Sequence, residues 1–78
     1  MGKSIETATN KVHEIDEKYV VSTIWETKNE YVFVEEKRFG VPPVIVEKRS
    51  NNARFARIGD PHDMKLVYND AKLIKRIR

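Results

Sequence analysis

The chain has 78 residues, 40% of them hydrophobic and 35% charged, which is the composition of a single small globular domain over residues 1–78. It contains no cysteine, so disulfides, thiolate metal sites and cysteine nucleophiles are excluded. Its 15 Lys and Arg against 12 Asp and Glu leave a net charge of +3, a mild excess that is unevenly spread. Acidic residues outnumber basic ones up to Glu36, and from Lys37 the balance reverses, closing on Lys72, Lys75, Arg76 and Arg78, so a basic patch is expected in the second half.

The first residues, Met1-Gly2-Lys3-Ser4-Ile5-Glu6, lack the apolar core of a signal peptide, and no apolar run approaches the roughly 18 residues of a membrane span. Glu6 stands where a myristoylation signal needs Ser or Thr. A cytoplasmic protein without a membrane anchor is therefore expected.

Ser4 reads as an N-cap, and Ile5, Ala8, Val12, Ile15 and Tyr19 follow at alternating spacings of three and four, the stripe of one helix face. An amphipathic helix from residue 5 to about 17 is expected, too short to be stable without a sheet beneath it. Tyr19 to Thr27 is rich in β-branched and aromatic residues and reads as a strand. Lys28-Asn29 makes a tight turn, and the next strand, Glu30 to Glu35, is apolar on both faces. Tyr31 and Phe33 point one way and Val32 and Val34 the other, so the strand requires cover from the helix on one side and from a second layer or a partner on the other.

The prolines of Arg38-Phe39-Gly40-Val41-Pro42-Pro43 exclude regular structure there. Val44 to Lys48 resumes as a strand, Ser50-Asn51-Asn52 is a turn, and Arg54 to Ile58 returns antiparallel. Beyond the break at Gly59-Asp60-Pro61-His62-Asp63, Met64, Val67, Ala71, Ile74 and Ile77 recur at helical spacing, although residues 64–68 also suit a strand. The expected fold is α+β: an N-terminal helix packed on a four-stranded antiparallel β-meander, followed by a C-terminal strand or a basic helix whose Lys and Arg suit the negative end of its dipole.

Little in the sequence supports catalysis. His62 between Asp60 and Asp63, and His13 beside Glu14 and Asp16, lack metal-ligand spacing; the first reads as a turn followed by an N-cap at Asp63, the second as a solvated helix residue. Glycines 2, 40 and 59 are isolated and build no phosphate loop, and serines 4, 22 and 50 have no partnering base. Glu35, Glu36 and Glu47 approach one another if the second and third strands are neighbours, but read as solvated carboxylates beside Lys37, Lys48 and Arg49. No cofactor, metal or enzymatic activity is expected.

Binding is better supported. Trp25, Tyr31 and Phe39, with Arg49, Arg54 and Arg57, are residue types that concentrate at protein interfaces. A nucleic-acid reading is the alternative, because Lys48, Arg49, Arg54 and Arg57 surround one hairpin with Phe55 between them, the combination a phosphate backbone and a stacked base require. A charged hairpin that keeps an edge strand from aggregating has the same composition and is the preferred reading of that segment. A homodimer covering the second sheet face is a further option.

The order of helix, strand, aromatic strand Tyr31-Val32-Phe33-Val34 and then Gly40-Val41-Pro42-Pro43-Val44-Ile45-Val46-Glu47-Lys48 resembles the small α+β immunity proteins of bacterial polymorphic-toxin systems, whose third strand reads G-N-x-P-[IL]-[IL]-V-D-[KR]-x-T-G. Gly40, Pro43, Val46 and Lys48 match, and the resemblance spans about residues 5 to 58. Glu30, Val41 and Ser50-Asn51-Asn52 depart from that pattern, as does the basic charge. The resemblance implies binding and neutralisation of a toxin, without catalysis.

Overall fold

The computed structural model describes residues 2–77, with side chains described from residue 5 onward. Helix α1 (Gly2–Ile15) leads into strands β1 (Thr23–Glu26), β2 (Glu30–Val34), β3 (Val44–Glu47) and β4 (Ala53–Phe55). A short helix α2 (Pro61–Lys65) continues into a π-helical turn, Leu66–Asp70, and the chain returns as strand β5 (Lys72–Arg76). All pairings are antiparallel and the strand order is β4-β3-β2-β1-β5, so the expected meander is present and gains a fifth strand beside β1. Helix α1 starts two residues before Ser4, which therefore lies within the helix and not at its cap.

The three consecutive buried residues of β2, Tyr31, Val32 and Phe33, follow from cover on both faces. Helix α1 lies across β4, β3 and β2, and Ala8 and Val12 pack with Tyr31, Phe33, Val44, Val46, Ile24 and Tyr19. On the opposite face Val32 and Ile45 pack against Leu66 and Val67 from the π turn, Ala71 just after it and Ala56 from the loop after β4. The second layer anticipated from the sequence is thus supplied at least in part by the chain's own C-terminal third.

The C-terminal segment is helix first and strand second, and the run Lys72 to Arg76 is not the end of a basic helix. A bulge between Ile24 and Trp25 leaves Leu73 opposite Trp25 and Lys75 opposite Ile24, with Ile74 as the extra residue. The extra residue interrupts the period-two alternation that would otherwise mark a strand. The π turn ends the helix where the Ala71 amide bonds the Leu66 carbonyl, five residues back, at 3.0 Å.

Tyr19 joins the layers. Its ring is buried at the end of α1, and its hydroxyl lies 3.0 Å from both the Phe33 and the Pro42 carbonyl oxygens, to which it donates. Burial pushes its pKa well above the ordinary tyrosine value, so it stays a donor. Tyr19→Phe is expected to cost about 1–2 kcal/mol, because a buried bond is removed with no water to replace it. Urea denaturation reads this directly, and an unchanged midpoint would show that the hydroxyl is dispensable.

Candidate functional site

The loop between β2 and β3 is the most deliberately held irregular segment. Its first residue, Glu35, is 4% exposed and accepts from Arg38 Nε at 2.6 Å, from Arg38 NH2 at 2.8 Å and from the Val20 amide at 3.1 Å. The Arg38 guanidinium also donates to Asp16, just past the end of α1, at 3.2 Å. That guanidinium pulls the Glu35 carboxyl down to about 2, and it remains ionised. With Tyr19 donating to the carbonyls of Phe33 before the loop and Pro42 near its end, both stems are fixed. At the tip Phe39 projects entirely into solvent, and the next residue, Gly40, takes the left-handed backbone (φ 83°) that an L side chain disfavours.

Other exposed apolar side chains gather at this end of the sheet, where β1 begins and β2 and β5 finish. Val20 is bonded through its amide to Glu35, Ile15 precedes the Asp16 that Arg38 holds, and the Ile77 amide donates to the Ser22 carbonyl at 2.8 Å. All three are about two-fifths or more exposed. Phe39 is thus a fully exposed aromatic on a braced loop, flanked in sequence by Arg38 and Gly40.

The other candidates fall elsewhere. Tyr31 is buried, its ring centroid 6.5 Å from that of Phe33 and 4.9 Å from Lys48 Nζ, so it is a packing residue and offers no contact surface. Lys48 also pairs with Glu26. Arg54 forms a two-pronged bond to Asp63, at 2.7 and 2.8 Å, and the Asp63 carboxylate, 1% exposed, accepts the Arg57 amide at 2.8 Å as well. Asp63 is therefore the pin that holds α2 to β4. The N-cap of α2 is Asp60, which accepts the His62 amide at 3.0 Å ahead of Pro61.

Strand alternation separates Phe55 from Arg54. Phe55 is opposite Val44 on the α1 side and its ring lies 6.4 Å from that of Tyr19, whereas Arg54 is opposite Ile45 on the α2 side. Side chains adjacent in sequence are thus on opposite faces, and three of the four hairpin cations, Lys48, Arg54 and Arg57, lie within ion-pair distance of carboxylates. Arg49 is exposed in the β3–β4 turn, at the end of the sheet away from Phe39, and Arg57 is exposed beside Asp60 and Asp63. A sheet of this length separates Arg49 from Phe39 by about 15 Å. Trp25 is half-buried, its indole donating to Thr23 Oγ1 at 2.9 Å, and it lines a cleft of about 190 Å³ with Val34, Pro43, Val67 and Tyr68.

Glu35, Glu36 and Glu47 do not come together, although β2 and β3 are neighbours. Glu47 is opposite Glu30 at one end of β2, Glu35 is bound by Arg38 at the other, and Glu36 is near Arg76. His13 donates to the Tyr19 carbonyl from Nε2 at 2.9 Å, and His62 is exposed on a shallow cleft of about 370 Å³ beside Lys28 and Lys65. Among the described residues no group of three or more His, Asp or Glu is placed to hold a metal ion, and no helix is long and apolar enough to cross a membrane. Searches against profiles of known protein families, curated proteins and solved structures found no match.

Proposed function

We propose that this chain is a non-catalytic protein-binding domain of the cytoplasm that engages its partner with the Phe39 end of the sheet. The observation that carries the reading is the full exposure of Phe39 on a loop braced by Tyr19, Glu35 and Arg38. A preordered anchor loses little freedom on binding, which is where interfaces otherwise lose affinity. The two carboxyls displaced furthest from their ordinary values, Glu35 and Asp63, are both lowered by arginines that occupy them, which supports a structural and not a catalytic use. In the form implied by the strand motif Gly40 to Lys48, the partner is a bacterial toxin and binding neutralises it.

The test is affinity capture from host lysate, with and without nuclease, by the wild-type chain and by Phe39→Ala. A partner that survives nuclease and binds the variant about thirtyfold more weakly, as loss of a roughly 2 kcal/mol hot spot requires, is the expected result. The variant should melt as the wild type does, since Phe39 packs on nothing. Loss of all bound material on nuclease treatment would defeat the reading and favour nucleic acid.

A further inference from the structure

Strand β5 closes one side of the sheet. One of its edges bonds β1; among the described residues nothing bonds the other, and all five of its residues are exposed. Three large aliphatics, Leu73, Ile74 and Ile77, are 43%, 40% and 48% exposed along it, interleaved with Lys72, Lys75 and Arg76. Arg76 is 3.9 Å from Glu36, whereas Lys72 and Lys75 form no ion pair among the described residues. The opposite edge differs: β4 has three residues, and Arg54 within it is held by Asp63.

A bare ladder edge pairs with any extended chain unless its side chains prevent it. A second copy is disfavoured, because the antiparallel register that pairs the whole strand sets Lys72 against Arg76 twice. Lysines on an edge repel a like-charged strand, and the same charges attract an acidic one. We infer that the outer edge of β5 is a docking edge for an extended, acidic and aliphatic segment of a partner protein, which joins the sheet as a sixth strand. Glu or Asp of that segment would face Lys72 and Lys75, with its aliphatics against Leu73 and Ile74. The inference rests on the reading of this chain as a protein-binding domain but is independent of Phe39.

The experiment is a titration of the full-length ¹⁵N-labelled chain with a short blocked peptide of alternating Glu and Val, followed by amide shifts and hydrogen exchange. Binding should shift residues 72–76 and protect the outward-facing amides among them. A Lys–Val peptide, and a Glu–Val peptide N-methylated at alternate residues, should not bind. Lys72→Glu/Lys75→Glu should weaken binding about tenfold, since each reversed cross-strand pair contributes under about 1 kcal/mol. The inference is overturned by shifts confined elsewhere, by equal binding of either control peptide, by a short oligothymidylate that shifts the same amides as strongly, or by self-association through β5. If the peptide fails while Phe39-dependent capture persists, only the edge inference falls; if nothing survives nuclease, the binding-domain reading falls with it.

Discussion

Asp63→Ala is expected to lower the unfolding free energy by about 3 kcal/mol, out of the roughly 5–10 kcal/mol available to a domain of this size. The substitution removes the acceptor of both Arg54 bonds and of the Arg57 amide, from a carboxylate that is 1% exposed. The Arg54 side chain is 41% exposed and can rehydrate, which puts the cost at the lower end of the range for breaking a buried ion pair. A fall in melting temperature of about 15 °C corresponds; a fall of only a degree or two would show that α2 is held by its apolar contacts alone. The same pair sets the acid response. The Asp63 carboxyl is held well below its ordinary value by the Arg54 guanidinium beside it, and Glu35 is lowered to about 2 by Arg38. Both values are depressed in the folded state, so their contribution is complete above about pH 5 and is lost as the pH falls through 4 towards 2. Wild-type stability should therefore plateau and then decline over that window. Asp63→Asn should start lower and decline less steeply, because only Glu35 remains to be protonated.

Phe33→Ala should have a still larger effect, about 4 kcal/mol, enough to leave much of the chain unfolded near 40 °C. Phe33 lies in the central strand β2, is fully buried, and packs with Val12 and Ala8 of α1 and with Val44 of the neighbouring strand. Its removal opens the largest void any single truncation can make among the fully buried side chains. Phe33→Leu refills much of that space and should retain cooperative melting at a reduced midpoint. Circular dichroism melts of the two variants provide the measurement, and an alanine variant that melts cooperatively within about 5 °C of wild type would contradict this account of the core.

What was legible in the sequence was periodic. The apolar stripe of α1 and the two-sided pattern of Tyr31-Val32-Phe33-Val34 led to a helix on a four-stranded meander, and β-branched composition located each of its strands to within a few residues. The first strand is shorter than its composition suggested, because Tyr19 leaves the sheet to bond across the loop stems. The end of the chain was ambiguous because residues 64–68 suited a helix or a strand, and the bulge in β5 interrupts the alternation that would have marked the strand after them. Asp63 read as the N-cap of the helix after the loop, but Asp60 is the cap, and only the fold brings Arg54 across to Asp63. Glu35 was hidden likewise: it read as a solvated carboxylate, and only the fold buries it against Arg38. The prolines placed Phe39 in an irregular loop without showing its exposure, and burial of Tyr31 depended on which face α1 covers.

The strand order has a consequence for how the protein is made. Strands β1 to β4 leave the ribosome as a consecutive hairpin array, but β1 gains its second neighbour only when residues 72–76 emerge, after α2. Until then Ile24 and Trp25 occupy an unprotected margin of the nascent sheet, and the face bearing Val32 and Ile45 lacks Leu66 and Val67. The most sequence-distant pairing in the molecule is thus also the one that shields its first-made strand, and biosynthesis passes through a state whose sticky margin must be kept from other chains until the last strand arrives.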